Sequence, residues 1–161
     1  MSDSVIDGFL VIVSCGKDKI WRSHPLAGPT RADDAYTSSV FKASRRYCRH
    51  FAERWVILSA KYGFIDPDFC IPENYNVSFH SSNAISTSSL REQVAMKQLG
   101  SYRTVGVLGS DLYWQQVRQA FDGLVVPLRH VNGNVSFPPL FQRLVADSID
   151  SNTPFREHRQ T

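Results

Sequence analysis

A chain of 161 residues, 42% hydrophobic and 20% charged, suits one domain that buries about two-thirds of its unfolded surface. Its formal net charge of +3 permits an anionic partner without requiring one. No run approaches the roughly 20 apolar residues of a membrane span, and the start lacks the basic lead of a signal peptide. Cys15, Cys48 and Cys70 cannot all pair and show no metal-ligand spacing, so a reducing, cytoplasmic compartment is expected.

The first predicted element is a strand over residues 9–13, apolar throughout, which runs into Ser14-Cys15-Gly16-Lys17-Asp18-Lys19. Residues 20–37 follow as a long irregular loop with Pro25, Gly28 and Pro29. A helix over 38–53 sets Val40, Ala43, Tyr47 and Phe51 at spacings of three and four, with Lys42, Arg45, Arg46 and Arg49 on the rest of its surface. A second strand over 55–59 stops in Ala60-Lys61-Tyr62-Gly63, and a second long loop spans 65–87. Next come a helix over 88–99 capped by Ser88 or Ser89, a strand over 104–108, and a helix over 111–121 with Asp111 as cap. A fourth strand over 124–127 and a helix over 137–147 complete the order. Short, continuous apolar strands alternating with helices predict an α/β fold: a three-layer α/β/α sandwich on a mainly parallel sheet of about four strands. Residues 1–150 form the single expected domain, and 151–161 a polar tail.

The chemistry-bearing residues sit where strands end, which in open parallel sheets is the ligand edge. Ser14-Cys15-Gly16-Lys17 lacks the first glycine of a phosphate-binding P-loop, yet its amides and lysines suit an anion, and Cys15 beside Lys17 or Lys19 would gain thiolate character. Of the two lysines, one is expected to enter the pocket. Ser59, Lys61, Tyr62 and Gly63 form the stronger constellation, with glycine supplying a turn, lysine a point charge and tyrosine a stacking surface. Asp66 is a candidate acid or base, Tyr75 and Asn76 suit a nucleobase, and Gly109-Ser110 opens a helix whose free amides attract anions. His24 and His80 lie in loops that could reach the site. The five histidines show no zinc spacing, and no metal or cofactor is expected.

Ser14-Cys15-Gly16-Lys17-x-Lys19, Ala35-Tyr36-Thr37-Ser38-x-x-Phe41, Ile57-Leu58-Ser59-Ala60-Lys61-Tyr62-Gly63-x-x-Asp66-Pro67, Tyr75-Asn76 and Gly109-Ser110-x-x-Tyr113 together resemble a small bacterial and phage family of the YaaA-like superfamily. That superfamily is similar to the core domain of archaeosine synthase, and its fold looks like that of uracil-DNA glycosylases. The resemblance implies a three-layer sandwich and work on nucleobases; the chain is too short for the helical DNA-binding insertion of YaaA. The expectation is an enzyme cleaving or exchanging an N-glycosidic bond in a nucleotide or nucleic acid. Asp66, Lys61 and Cys15 are its candidate catalytic residues. Ser14, Gly16, Lys17, Tyr36, Ser59, Tyr62, Gly63, Tyr75, Asn76, Gly109, Ser110 and Tyr113 would bind substrate. The rivals are a non-catalytic nucleic-acid binder using the arginine row and a thiol-based stress protein using Cys15.

Overall fold

The computed structural model describes residues 5–131. Its centre is a five-stranded sheet in the order β4-β3-β1-β6-β7. Strands β1 (Ile6–Ser14), β3 (Ala52–Ser59), β6 (Thr104–Leu108) and β7 (Leu128–Val131) run parallel, and β4 (Gly63–Ile65) is antiparallel to β3. The α/β expectation is met. The sheet has one strand more than expected, because β4 is only three residues long and carries no readable period.

Side-chain alternation on β1 divides the core. Phe9, Val11 and Val13 face one layer, with Phe41, Tyr47 and Cys48 of α3 (Ser39–Phe51). Leu10 and Ile12 face the other, with Leu90 and Val94 of α4 (Thr87–Met96) and Val117 and Ala120 of α5 (Asp111–Ala120). Helices on both faces make the sandwich. Helix α3 turns a different stripe inward from the one the spacing suggested. Phe41, Ser44, Tyr47 and Cys48 are buried, while Val40 is 49% exposed. Ser44 tolerates this because its hydroxyl donates to the Val40 carbonyl at 2.9 Å.

The caps also shift. Ser38 Oγ accepts from Phe41 N at 3.1 Å, as a serine before a helix should, but α4 is capped by Ser86, whose Oγ accepts from Ser89 N at 3.1 Å. Ser110, not Asp111, occupies the N-cap position of α5. The fourth predicted strand is displaced: residues 124–127 precede β7, and Val125 is 96% exposed. The helix expected over 137–147 and the polar tail lie outside the described residues.

The two long loops hold each other. Residues 20–37 contain α1 (Ile20–Ser23), β2 (Thr30–Arg31) and α2 (Ala32–Ala35), and β2 pairs antiparallel with β5 (Cys70–Ile71) of the second loop. Next to β4, the Gln93 side chain of α4 accepts from Phe64 N at 2.7 Å and donates to Tyr62 O at 3.0 Å, so an amide side chain replaces ladder partners there. Gly63 has φ +80, and a Cβ on it would overlap that carboxamide.

Candidate functional site

β1 and β6 are adjacent, yet β1 continues through α3 to β3 on one side and β6 through α5 to β7 on the other. Their carboxyl ends therefore flank a topological switch point, the place where open α/β sheets form a crevice. The close approach there is concrete: a Cβ on Gly109 would lie 2.7 Å from Ser14 Oγ and 2.8 Å from Ser14 Cβ. Only a residue without a side chain fits. Gly16 follows with φ +80, turning the chain away from β1.

A row of hydroxyls joins this edge to the long loops. Ser59 Oγ accepts from the amides of Lys61 and Tyr62 at 3.1 and 3.2 Å. With both acceptor positions used, its own proton goes to Tyr75 Oη, 2.9 Å away, and Tyr75 in turn hydrogen-bonds Tyr36 Oη. Burial pushes the Tyr36 and Tyr75 phenols far above their ordinary range, so both stay neutral. Tyr113, half-buried, lies 3.5 Å through its hydroxyl from Cys15 Sγ, and burial raises its phenol as well.

Two cationic side chains, Lys19 and Lys61, gather beside this row, and Lys17 lies close to Lys19 in the chain. Lys19 Nζ stands over the Tyr75 ring at 4.5 Å from its centroid, and Lys61 Nζ over the same ring at 5.6 Å and over Tyr62 at 5.3 Å. Lys17 is exposed, and its carbonyl accepts from Lys19 Nζ at 3.3 Å. Among the described residues none of the three forms an ion pair with a carboxylate. Lys19 is the lysine that turns inward, its backbone fixed by a bridge to Tyr36 and by Thr37 N donating to Asp18 O at 3.0 Å. Partial burial holds its ammonium below the usual lysine range, against the attraction of Cys15 and Asp18.

Several expectations need correction. Asp66 does not join the cluster. β4 runs antiparallel, with Gly63 opposite Ser59 and Ile65 opposite Ile57, so the chain has left the carboxyl edge by Asp66. Its carboxylate instead meets Arg54 at 3.2 Å and Lys97 at 3.5 Å. Cys15 is buried, and desolvation raises its thiol despite Tyr113 and Lys19, so the thiolate is disfavoured. Tyr75 and Tyr36 are too buried to stack on a ligand, and the lysines cover the face of Tyr75. Tyr62 keeps partial exposure, with its ring edge-on to Tyr75 at 5.4 Å and tilted against Phe69 at 5.2 Å. Asn76 is exposed next to Tyr75, and Ser110 is exposed at the head of α5. Ser14 and Gly63 serve the local geometry described above.

The arginine row is largely occupied. Arg45 donates to Asp33 O at 2.6 Å and pairs with Asp34 at 3.7 Å, while Arg49 pairs with Asp33 at 3.1 Å. Of the histidines, His130 of β7 reaches this edge: its Nε2 lies 2.8 Å from Gly109 O and its ring stacks on Trp114 at 4.9 Å. His24 and His80 are exposed on the loops. His130 and Lys19 are the residues that the spacing argument missed. A strand placed four residues too early hid the first, and a choice between neighbouring lysines passed over the second. Among the described residues no three His, Cys, Asp or Glu lie close enough to hold a metal ion.

Fold and site together define an α/β protein with an organised, cation-bearing cluster at the switch point of its sheet. The chain belongs to a family of unknown function, DUF6884, whose pattern it matches over residues 10–134. It is also 36% identical over 129 residues to the uncharacterized protein YfjM of Bacillus subtilis strain 168, a match covering 79% of this chain and 83% of that relative. No solved structure matches it significantly.

Proposed function

We propose that the switch-point edge binds a nucleotide, free or within a nucleic acid, and that the protein cleaves or exchanges the N-glycosidic bond of that nucleotide. The observation that carries the reading is the convergence of Lys19 and Lys61 on one tyrosine ring with no carboxylate pairing either among the described residues. Two ammonium groups that lack a carboxylate partner favour an anionic ligand. Lys61 and Lys17, both exposed, meet phosphate, and the amides opening α5 add a positive helix end. Tyr62 offers the base a surface, with Asn76 near its edge.

Breaking the glycosidic bond leaves electrons on the departing base and positive charge on the sugar. The lysines favour the first. With Asp66 engaged elsewhere, this reading assigns the second to Asp111, a carboxylate exposed on the first turn of α5. Similarity of the strand-end motifs to YaaA-like proteins supports the same ligand class, and three free cysteines agree with a cytoplasmic setting. No described helix is long and apolar enough to cross a membrane.

The test is release of free base from a panel of modified and unmodified nucleoside monophosphates and oligonucleotides. Base release is expected, with Lys61→Ala reducing kcat/KM by at least about tenfold. Intact substrates across the panel would remove the glycosidic chemistry; tight, salt-sensitive binding without turnover would leave a binding module instead.

A further inference from the structure

We propose that Lys19 is a nucleophilic amine, which forms an imine with the aldehyde of a ring-opened sugar at the switch-point edge. The inference rests on the nucleotide reading above and adds a covalent step to it. Its ground is the difference between two lysines that share one ring. Lys61 is exposed and keeps the hydration that makes an ammonium a point charge. Lys19 is half-buried and nearer the ring, and its main chain is pinned on both sides by the bridge to Tyr36 and the Asp18–Thr37 hydrogen bond. An amine held in place and partly desolvated is a usual setting for Schiff-base chemistry.

Loss of the base by hydrolysis leaves a hemiacetal sugar in equilibrium with its open aldehyde. Neutral Lys19 Nζ, having released its proton to solvent, attacks the aldehyde carbon. The carbon–nitrogen bond forms, and the carbonyl electrons move to oxygen, which takes up a proton. The nitrogen then passes one of its two protons to that hydroxyl, which leaves as water, and the protonated imine remains, with no net oxidation or reduction. The lowered pKa of Lys19 supports the first of these steps, since less free energy is needed to expose the lone pair.

Trapping tests this directly. The full-length protein is incubated with ribose 5-phosphate, or with an oligonucleotide carrying a preformed abasic site, together with sodium cyanoborohydride. Intact mass and peptide mapping follow. The expected result is one reduced adduct at Lys19, at least about tenfold more abundant than at any other lysine; Lys61→Arg retains that selectivity. An adduct spread over the exposed lysines, or none, overturns the proposal, and mapping on the unaltered protein makes the result independent of whether Lys19→Arg folds. Because the aldehyde is supplied ready-made, the outcome is separable from base release. Base release without a Lys19 adduct removes only the nucleophile, and a Lys19 adduct without base release keeps the amine and removes the glycosidic step.

Discussion

Cys15 and Gly109 face each other's elements across the switch point, and each can be tested alone. Burial raises the Cys15 thiol, so its thiolate fraction grows only at pH above the ordinary cysteine range. Iodoacetamide at pH 8 is therefore expected to label exposed Cys70 at least about 100-fold faster than Cys15 in the native protein, the difference vanishing in denaturant. Comparable native rates would restore Cys15 as a nucleophile and revive the thiol-sensor reading. Gly109→Ala pushes a methyl into Ser14, with an expected loss of about 1–3 kcal/mol in urea unfolding. A variant as stable as the parent would show that the β1 and β6 ends can part. The amino-acid order did reveal which residues end the strands. It concealed that Tyr75 is covered by ammonium groups, because a cation over a ring arises only from tertiary approach.

Elements were legible in proportion to their length and apolar continuity. Residues 9–13 of β1, 55–58 of β3 and 105–108 of β6 are runs without a charged or hydroxyl side chain and stand out. β7 mixes Arg129 and His130 with Leu128 and Val131, while the more apolar 124–127 drew the assignment instead. β2 and β5, of two residues each, are too short for any period. On α3 the buried small residues Ser44 and Cys48 blurred the stripe, and the arginines read as a free basic face. That face is a clamp. Asp33 is buried, which by itself would raise its carboxyl, but hydrogen bonds from Arg31 and Arg49 hold it below the ordinary carboxylate value. Asp33→Asn is expected to cost about 1 kcal/mol near neutral pH, the arginines being half-exposed. With the folded pKa depressed, this stabilisation is present above about pH 4 and fades as pH falls through the folded value. Parent and variant unfolding curves should therefore converge in acid; a gap that persists there would remove the ionic account.

Across the whole molecule, the decisive property is that one sheet edge collects residues from six separate stretches of chain, around Cys15, Tyr36, Ser59, Tyr75, Tyr113 and His130. Connections run in opposite directions from β1 and β6, and the paired long loops carry Tyr36 and Tyr75, which hydrogen-bond each other beside Lys19. On α3, Arg45 and Arg49 are paired with carboxylates, whereas Lys19 and Lys61 at the switch point have no carboxylate partner among the described residues. Affinity for a nucleoside monophosphate should thus fall with added salt and drop at least about fivefold in Lys61→Ala. Arg46→Ala on α3, read by the same titration, should leave it unchanged. Equal losses in the two variants would return nucleic-acid contact to the helix.

The Gln93 carboxamide also decides how copies of this protein behave toward one another. β4 is an outermost strand, and the outward-facing N–H of Phe64 and C=O of Tyr62 would otherwise form a template for an intruding strand. With both groups engaged by a side chain of the same molecule, a would-be partner finds no vacancy. Gln93→Ala should leave the monomeric fold formed yet raise light scattering as concentration increases. A variant that stays monodisperse would show that the sheet margin is guarded by other means.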